Sequence, residues 1–576
     1  MSTAPATAFD EASVAEAFLR SLRAHGIDTV FANAGTDFAP IIEALTRLES
    51  EPGAAPTILT VPHENLAVAM AHGHYLASGK PAAVMVHVTV GTGNTICALM
   101  NAYRDRIPLL LMAGRTPHTE YGHIASRNFP IHWGQENFDQ SGMVREYTKW
   151  DYELRSGQHP HDIVARALEV ALAEPRGPVY LTLPREVLAD PCHTPSRVPA
   201  ATRMAPPAPN QTAVLDAAAR IAAASTPVII TSHLGRDKAA VPTLAKLADS
   251  YDIPVVQAGA SAVNLPASHP MNTGQAGGAL LENADCIVVV ESEVPWFPVR
   301  FTPRPGTCVI HIGIDPLFVR YPIRSFPTEL AIAGDPGTTL SALSAALKTM
   351  ALDEAARQTR RQAVEQFQQD RQQRHAANLE AAREATPISY AYVGECIRRQ
   401  MPEHTLVVTE LGIAADQLGL EEPGSLIGVG IGGGLGFGLG AALGAKLADR
   451  SRCVIATVGD GSYMFGNPTP YHFVSRAADL PVLTIICNNR RWNAVDASTR
   501  IVYPDGAAAH AKPMPLVELE PSPEFTKVAE ASDAFARKVE APADLPRALD
   551  DALEAVAGGR QALLDVRVEH GDRSSG

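Results

Sequence analysis

Positive charge, cysteine pairs and long apolar runs are what this chain of 576 residues has least of. Its 48 Lys and Arg stand against 62 Asp and Glu, a formal net charge of -14 at pH 7. That balance argues against nucleic acid or an anionic membrane as the main partner and leaves a small-molecule substrate as the expected one. No uninterrupted apolar segment reaches the ~20 residues of a membrane span. The opening MSTAPATAFDEASVAEAF carries acids and lacks a basic stretch followed by an apolar run, so no signal peptide is expected. The seven cysteines (Cys97, Cys192, Cys286, Cys308, Cys396, Cys453, Cys487) are scattered, odd in number and free of any C-x-x-C pair. This speaks against a disulfide framework and for a reducing, cytoplasmic compartment. What the chain does have is apolar bulk, 46% against 19% charged, so several cores can be buried.

Patterning divides the chain. From about Ala12 to Ala189, helical patterns alternate with short apolar runs (TVFANAG, TILTVPHE, AAVMVHV, PLLLMAGR, PVYLTLP), as parallel βα units do. A Pro- and Ala-rich passage, His193 to Gln211, reads as a linker. A second βα region follows with PVIITS, IPVVQAG, CIVVVES and CVIHIGID, and ends near Leu347. The segment Asp353 to Ala385 is a highly polar helix former suited to bridging domains across the surface. A third βα region begins near Ile388 and holds TLVVTE, CVIATVGDG, PVLTIICNN and ALLDVRV. The expected fold class is α/β, three doubly wound parallel-sheet domains in series, at residues 1–190, 191–350 and 386–576, with a helical linker at 351–385.

The third region carries the sharpest motif. An apolar, β-branched strand ends in VGDG, placing Asp460 between Gly459 and Gly461, and the next strand ends in Asn488 and Asn489. Successive strands of a parallel sheet bring their carboxyl ends side by side on the edge where open α/β sheets bind ligands. One carboxylate plus one amide oxygen suits Mg2+, which keeps positions for phosphate oxygens and water, while bare glycine lets a diphosphate approach the backbone. An ordinary Asp-Gly turn is the alternative for the first motif taken alone.

The stretch from GDGSYMFGN to CNN, Gly459 to Asn489, resembles the signature of thiamine diphosphate enzymes of the acetolactate synthase, benzoylformate decarboxylase and 2-hydroxyacyl-CoA lyase type. The resemblance covers nearly the whole chain and implies pyrimidine-binding, central and diphosphate-binding domains in that order. It implies thiamine diphosphate and Mg2+ as cofactors, with Asp460, Asn489 and the main-chain carbonyl of Arg491 as metal ligands. Gly459, Gly461 and Ser462 then belong to the cofactor site.

Thiamine chemistry also needs one carboxylic acid against the aminopyrimidine ring. By resemblance this is Glu64 in TVPHENLAVAMAHGHYLASGK, with the match running on through Gly91, Gly93, Asn94 and Asp105. Alone, Glu64 reads as an acid favoured at a helix N-terminus. Alignment of GFGL places Leu435 at the apolar wedge that bends the cofactor in this family. Because the family's cofactor lies between the first domain of one subunit and the third of another, a homodimer or homotetramer is implied.

On the substrate side the same resemblance places His87, before G-T-G-N, near the reacting carbon, and Thr36 where the decarboxylase has a substrate-contacting serine. A structural histidine and a helix N-cap are the alternatives. No second active-site histidine is identified. Gln135 in WGQENFDQ and Asn493 and Val495 in RRWNAV are further substrate-side candidates. The leading activity is C–C lyase or carboligase action on a 2-oxo acid. The alternatives are a 2-hydroxyacyl-CoA lyase, with Arg300, Arg304, Arg320 and Arg324 meeting coenzyme A phosphates and the tail after Asn489 as a lid, and a non-catalytic thiamine-binding paralogue. TSHLGR (Thr231 to Arg236) replaces the glycine-rich strand end that holds FAD in acetolactate synthases, so no flavin is expected.

Overall fold

The computed structural model describes residues 13–157, 159–192, 202 and 204–570. Residues 1–12, on which the signal-peptide reading rests, and most of the passage from His193 to Gln211 lie outside them.

Three separate, wholly parallel sheets follow one another along the chain. The first comprises β1 (Thr29–Ala32), β2 (Thr57–Thr60), β3 (Ala83–Val86), β4 (Leu110–Arg115), β5 (Asp151–Glu153) and β6 (Val179–Pro184), in the order β2-β1-β3-β4-β6-β5. The second comprises β7 (Pro227–Thr231), β8 (Val255–Val256), β9 (Cys286–Val290), β10 (Cys308–Gly313) and β11 (Leu330–Ala333), in the order β11-β10-β9-β7-β8. The third comprises β12 (Leu406–Glu410), β13 (Leu426–Gly428), β14 (Val454–Gly459), β15 (Leu483–Asn488), β16 (Phe535–Val539) and β17 (Ala562–Arg567), in the order β13-β12-β14-β15-β17-β16. Counted from its own first strand, the third sheet repeats the winding of the first. The central strands β3, β4, β6, β7, β9, β14 and β15 are apolar runs buried almost throughout, which is why they read so clearly from sequence.

The polar helix Glu354–Ala382 starts at Asp353, whose side chain caps Ala355 and Ala356, and runs for 29 residues between the second and third sheets. It docks through Arg360, which donates to the Asp252, Ser225 and Tyr251 carbonyls.

The first and third domains share one core through the helices Glu64–Ser78 and Phe437–Ala448. The two run close because the crossing is built from small residues. A Cβ on Gly444 would overlap the Met70 carbonyl, and one on Gly73 would overlap the backbone of Ala441. Glycine there trades helix propensity for backbone proximity. At the shared N-terminal end of the pair, Asn101 Nδ2 donates to the Gly434 carbonyl at 2.7 Å, and Gly434 N–H returns to Asn101 Oδ1 at 3.0 Å. Glu64 therefore starts its helix beside the turn that carries Leu435. Among the described residues no helix is long and apolar enough to cross a membrane.

Candidate functional site

The expected residues gather into two groups, each at the carboxyl edge of a sheet. In the first sheet, β1 leads into Asn33, Thr36 and Asp37, β2 into Glu64, and β3 into His87. Glu64 is nearly buried, and its two oxygens accept from Asn33 Nδ2 at 2.8 Å and Asn94 Nδ2 at 2.6 Å. Two amide donors from different elements fix the plane of the carboxyl group.

His87 is held tightly. Its Nδ1 meets Asp37 Oδ1 at 2.5 Å, and the other Asp37 oxygen accepts the Val88 N–H at 3.4 Å. Val88 sits at φ 27, a region that a β-branched residue rarely enters. Gly35 and Gly114 make room for this pair, since a Cβ on the first would overlap the His87 ring and one on the second the Asp37 carboxylate. The Asp37 hydrogen bond raises the His87 pKa, outweighing the burial that lowers it.

Thr36 meets a histidine that sequence reading passed over. His132 Nδ1 accepts the Asn128 N–H at 3.2 Å, so the ring proton belongs on Nε2, which lies 3.0 Å from Thr36 Oγ1. Thr36 thus accepts from His132 and keeps its own hydroxyl proton to donate. Burial, followed by the Arg185 charge, lowers the His132 pKa and keeps the ring neutral. Arg185, itself buried, ties this corner together by donating to the Ala125, Ser126 and Thr36 carbonyls. Gln135 lies alongside. Thr89 Oγ1 donates to its carbonyl at 2.8 Å, and its buried side-chain oxygen faces His87.

The second group lies on the third sheet, where β14 and β15 pair with Gly459 opposite Cys487. Asp460 and Asn489 follow the two strand ends directly. Asp460 is 3% exposed, and burial pushes its pKa up to about 6, against hydrogen bonding from the Gly461 and Arg490 backbone. A carboxyl in this state is one that a bound cation would restore to full charge. Asn489 Oδ1 accepts the Arg491 N–H at 3.0 Å while Nδ2 donates to Tyr390 at 3.1 Å, which fixes the orientation of the amide. The Arg491 carbonyl accepts the Asn493 N–H at 2.9 Å and keeps a second lone pair. Ser462 Oγ is buried with no hydrogen-bond partner among the described residues. A Cβ on Gly461 would overlap the Trp492 ring, so the turn admits only glycine. One carboxylate, one amide oxygen, one carbonyl and an orphaned hydroxyl form a donor set that fits Mg2+ and a diphosphate.

Leu435 is half-buried, and its carbonyl accepts from Asn65 Nδ2 at 3.5 Å, next to Glu64. Glu410, at the end of β12, accepts the Gly436 and Gly438 N–H groups at 2.8 and 2.7 Å and so anchors the turn on either side of Phe437. Burial raises this carboxyl to about 7. Among the described residues, Glu64 and Asp460 share no hydrogen-bond partner.

The four arginines considered for coenzyme A each have a separate commitment. Arg324 donates to the Glu293 and Ser292 carbonyls and Arg304 to Asn283, while Arg300 and Arg320 lie over the Phe297 and Tyr103 rings. Asn493 opens the helix Asn493–Val502, on which Val495 is 45% exposed.

Comparison with known proteins matches the chain to three models in order: the thiamine pyrophosphate enzyme N-terminal TPP binding domain at residues 12–143, the central domain at 214–343 and the C-terminal TPP binding domain at 408–566. The acetolactate synthase isozyme 3 large subunit of Escherichia coli (strain K12) is 26% identical over 97% of this chain and 95% of its own length. Benzoylformate decarboxylase of Pseudomonas aeruginosa is 30% identical over 56% of this chain and 60% of its own. The fold matches that of a thiamine diphosphate-dependent 4-hydroxybenzoylformate decarboxylase from Rhodococcus jostii RHA1 with a TM-score of 0.78 at 23% identity, covering 97% of this chain and 100% of that one. With all three domains matched in order and a relative aligned over nearly its full length, the chain belongs to the thiamine diphosphate-dependent enzymes of the acetolactate synthase and benzoylformate decarboxylase type.

Proposed function

We propose that the protein is a thiamine diphosphate- and Mg2+-dependent C–C lyase or carboligase acting on a 2-oxo acid, by decarboxylation, acyloin-type carboligation or both. The observation that carries this reading is His87, held at Nδ1 by Asp37, with the Thr36 hydroxyl held by His132, at the same sheet edge as the oriented Glu64. When bound, the cofactor would supply a carbon nucleophile and an electron sink. Asp460, Asn489 and the Arg491 carbonyl would hold the metal, and Ser462 would meet a diphosphate oxygen. Glu64, oriented by Asn33 and Asn94, would hold the proton shared with the pyrimidine ring, and Leu435 would press on the cofactor from the turn that Glu410 anchors. Thr36 and His87 would bind the substrate carboxylate, with Gln135 and Asn493 at its flanks. His87 would move a proton at Nε2.

Because each half-site is built within its own domain, a complete site would form between two copies of the chain, as a homodimer or a pair of dimers. Exposed apolar side chains support this: Tyr121, Ile124 and Phe138 in the segment around the first group, and Ile501, Val502, Tyr503 and Leu516 in the segment after the second. The test is turnover by purified protein with thiamine diphosphate and Mg2+, comparing a panel of 2-oxo acids with a panel of 2-hydroxyacyl-CoA thioesters and identifying products by mass. Carbon dioxide with an aldehyde or acyloin, from 2-oxo acids alone, is the expected result. An acyl-CoA product would refute the substrate assignment.

A further inference from the structure

The first half-site contains a buried acid that neither the cofactor nor the metal would occupy. Asp37 spends its two oxygens on two consecutive residues: Oδ1 on the His87 ring and Oδ2 on the Val88 N–H. It therefore holds the histidine ring and the backbone N–H that follows it at once. Gly114 leaves room for this carboxylate and Gly35 for the ring, so two glycines from separate elements serve the same contact. With Nδ1 committed, only Nε2 is left for chemistry, on the side of the Gln135 amide.

We propose that Asp37 is a positioning residue for His87: it holds the ring with the Nδ1 proton on its carboxylate, so that Nε2–H is presented as a fixed donor to an anionic substrate. The assignment rests on the reading of His87 as a substrate-facing group. The charges around the ring favour it. Asp37 and Glu64, from two different elements, both act to keep the imidazole protonated, and burial opposes them. The neighbouring basic groups are buried Arg185, which faces Asp37, and His132, whose own pKa is lowered. Two histidines a few residues' reach apart are thus driven in opposite directions, which separates an acid from a neutral hydrogen-bond relay. His87 would hold a carboxylate as a cation, while His132 would orient Thr36 without adding charge. Such a site discriminates a 2-oxo acid from the corresponding aldehyde by the anion alone.

Imidazole 15N spectra of the full-length protein as a function of pH test the assignment, with the His87 signal identified by its loss in His87→Gln. In the wild type, His87 should carry its proton on Nδ1 and titrate above an ordinary histidine. In Asp37→Asn its pKa should drop by about 1–3 pH units, the effect of removing an adjacent opposite charge. The kcat/KM profile on a 2-oxo acid should lose its basic limb by the same amount, with activity recovering as the pH is lowered. In the His87→Gln background the Asp37→Asn change should alter kcat/KM less than about threefold, because it acts through the ring. A His87 titration unmoved by Asp37→Asn, or a wild-type ring without a proton on Nδ1, overturns the proposal, and the second observation decides even if the variant does not fold. A shifted titration in a protein inactive on every 2-oxo acid would support the Asp37 role while refuting the substrate reading.

Discussion

Replacing Asp460 with Asn separates the cost of a buried carboxylate from its use. Burial lifts this carboxyl from an ordinary 3.8 to about 6, which corresponds to roughly 3 kcal/mol of destabilisation once the group is ionised. The folded, metal-free protein binds this proton more tightly than the unfolded chain. Its stability should therefore be highest below about pH 4 as far as this group is concerned, fall between about 4 and 6, and level off above. Asp460→Asn removes the charge and keeps the shape. At pH 7.5 without metal or cofactor, the variant should unfold no more readily than wild type, and the decline between pH 4 and 6 should flatten. Adding Mg2+ and thiamine diphosphate should stabilise wild type by about 3 kcal/mol at a hundredfold excess over Kd and the variant hardly at all. Protons should compete with the metal, so at pH 5 the apparent Mg2+ affinity of wild type should be about tenfold weaker than at neutral pH. Denaturant unfolding of the full chain, with and without Mg2+ and cofactor, reads all of this. A variant that is much less stable without ligands yet gains the full ligand shift would refute the reasoning.

Glu64→Gln should keep cofactor binding, measured by fluorescence quenching, and cut kcat by about 10²–10⁴, the range for losing a positioned acid; unchanged turnover would count against its role. Gly444→Val would force the helices Glu64–Ser78 and Phe437–Ala448 apart, because the new side chain meets the Met70 carbonyl. The expected cost is about 1–3 kcal/mol in unfolding measurements, with lost activity as the starts of both helices are displaced from their sites. Asp105 is fully buried against Arg236 at 2.9 Å and His72 at 3.2 Å. Burial opposes its charge, yet Arg236 and then His72 hold the carboxyl well below the usual range, so the pair contributes stability above the ordinary carboxylate pKa that is lost as pH falls. Asp105→Asn should destabilise the contact between first and central domains by about 3–5 kcal/mol, measured by denaturant unfolding at neutral pH.

The three-sheet architecture was legible because its central strands are buried on both faces and therefore read as continuous apolar runs. The strands that escaped notice were β5, β11, β13 and β16, and all four lie at sheet edges. DYE in β5 is half-buried along its length and FARKV in β16 nearly so, and neither carries a pattern that sets it apart from a loop. The matched winding of the first and third sheets has no sequence signal, because strand order is set by crossovers between elements.

The site shows the same division. Asp460 and Asn489 were visible because their chemistry lies at the ends of adjacent strands, within one motif. Asp37, His132 and Glu410 were not, because each acts through a partner brought near only by folding: Asp37 stands 50 residues from His87, His132 stands 96 from Thr36, and Glu410 stands 26 from Gly436. The pair Thr36-Asp37 offered a hint in its adjacent hydroxyl and carboxylate, but only the sheet edge assigns each to a different histidine. His132, in PIHWGQ, sits beside the Gln135 that the motif reading did single out.

The central claim, a site shared between copies of the chain, is tested most directly by subunit complementation. Glu64→Gln and Asp460→Asn chains, each inactive alone on the 2-oxo acid that wild type turns over, would be co-expressed with different tags and the mixed species purified. A heterodimer of the two has one site with both Glu64 and Asp460 intact, so an unsorted mixture should recover about a quarter of wild-type activity and the purified heterodimer about half. Activity no higher than that of either parent, in a heterodimer that still binds Mg2+ and thiamine diphosphate, would contradict it.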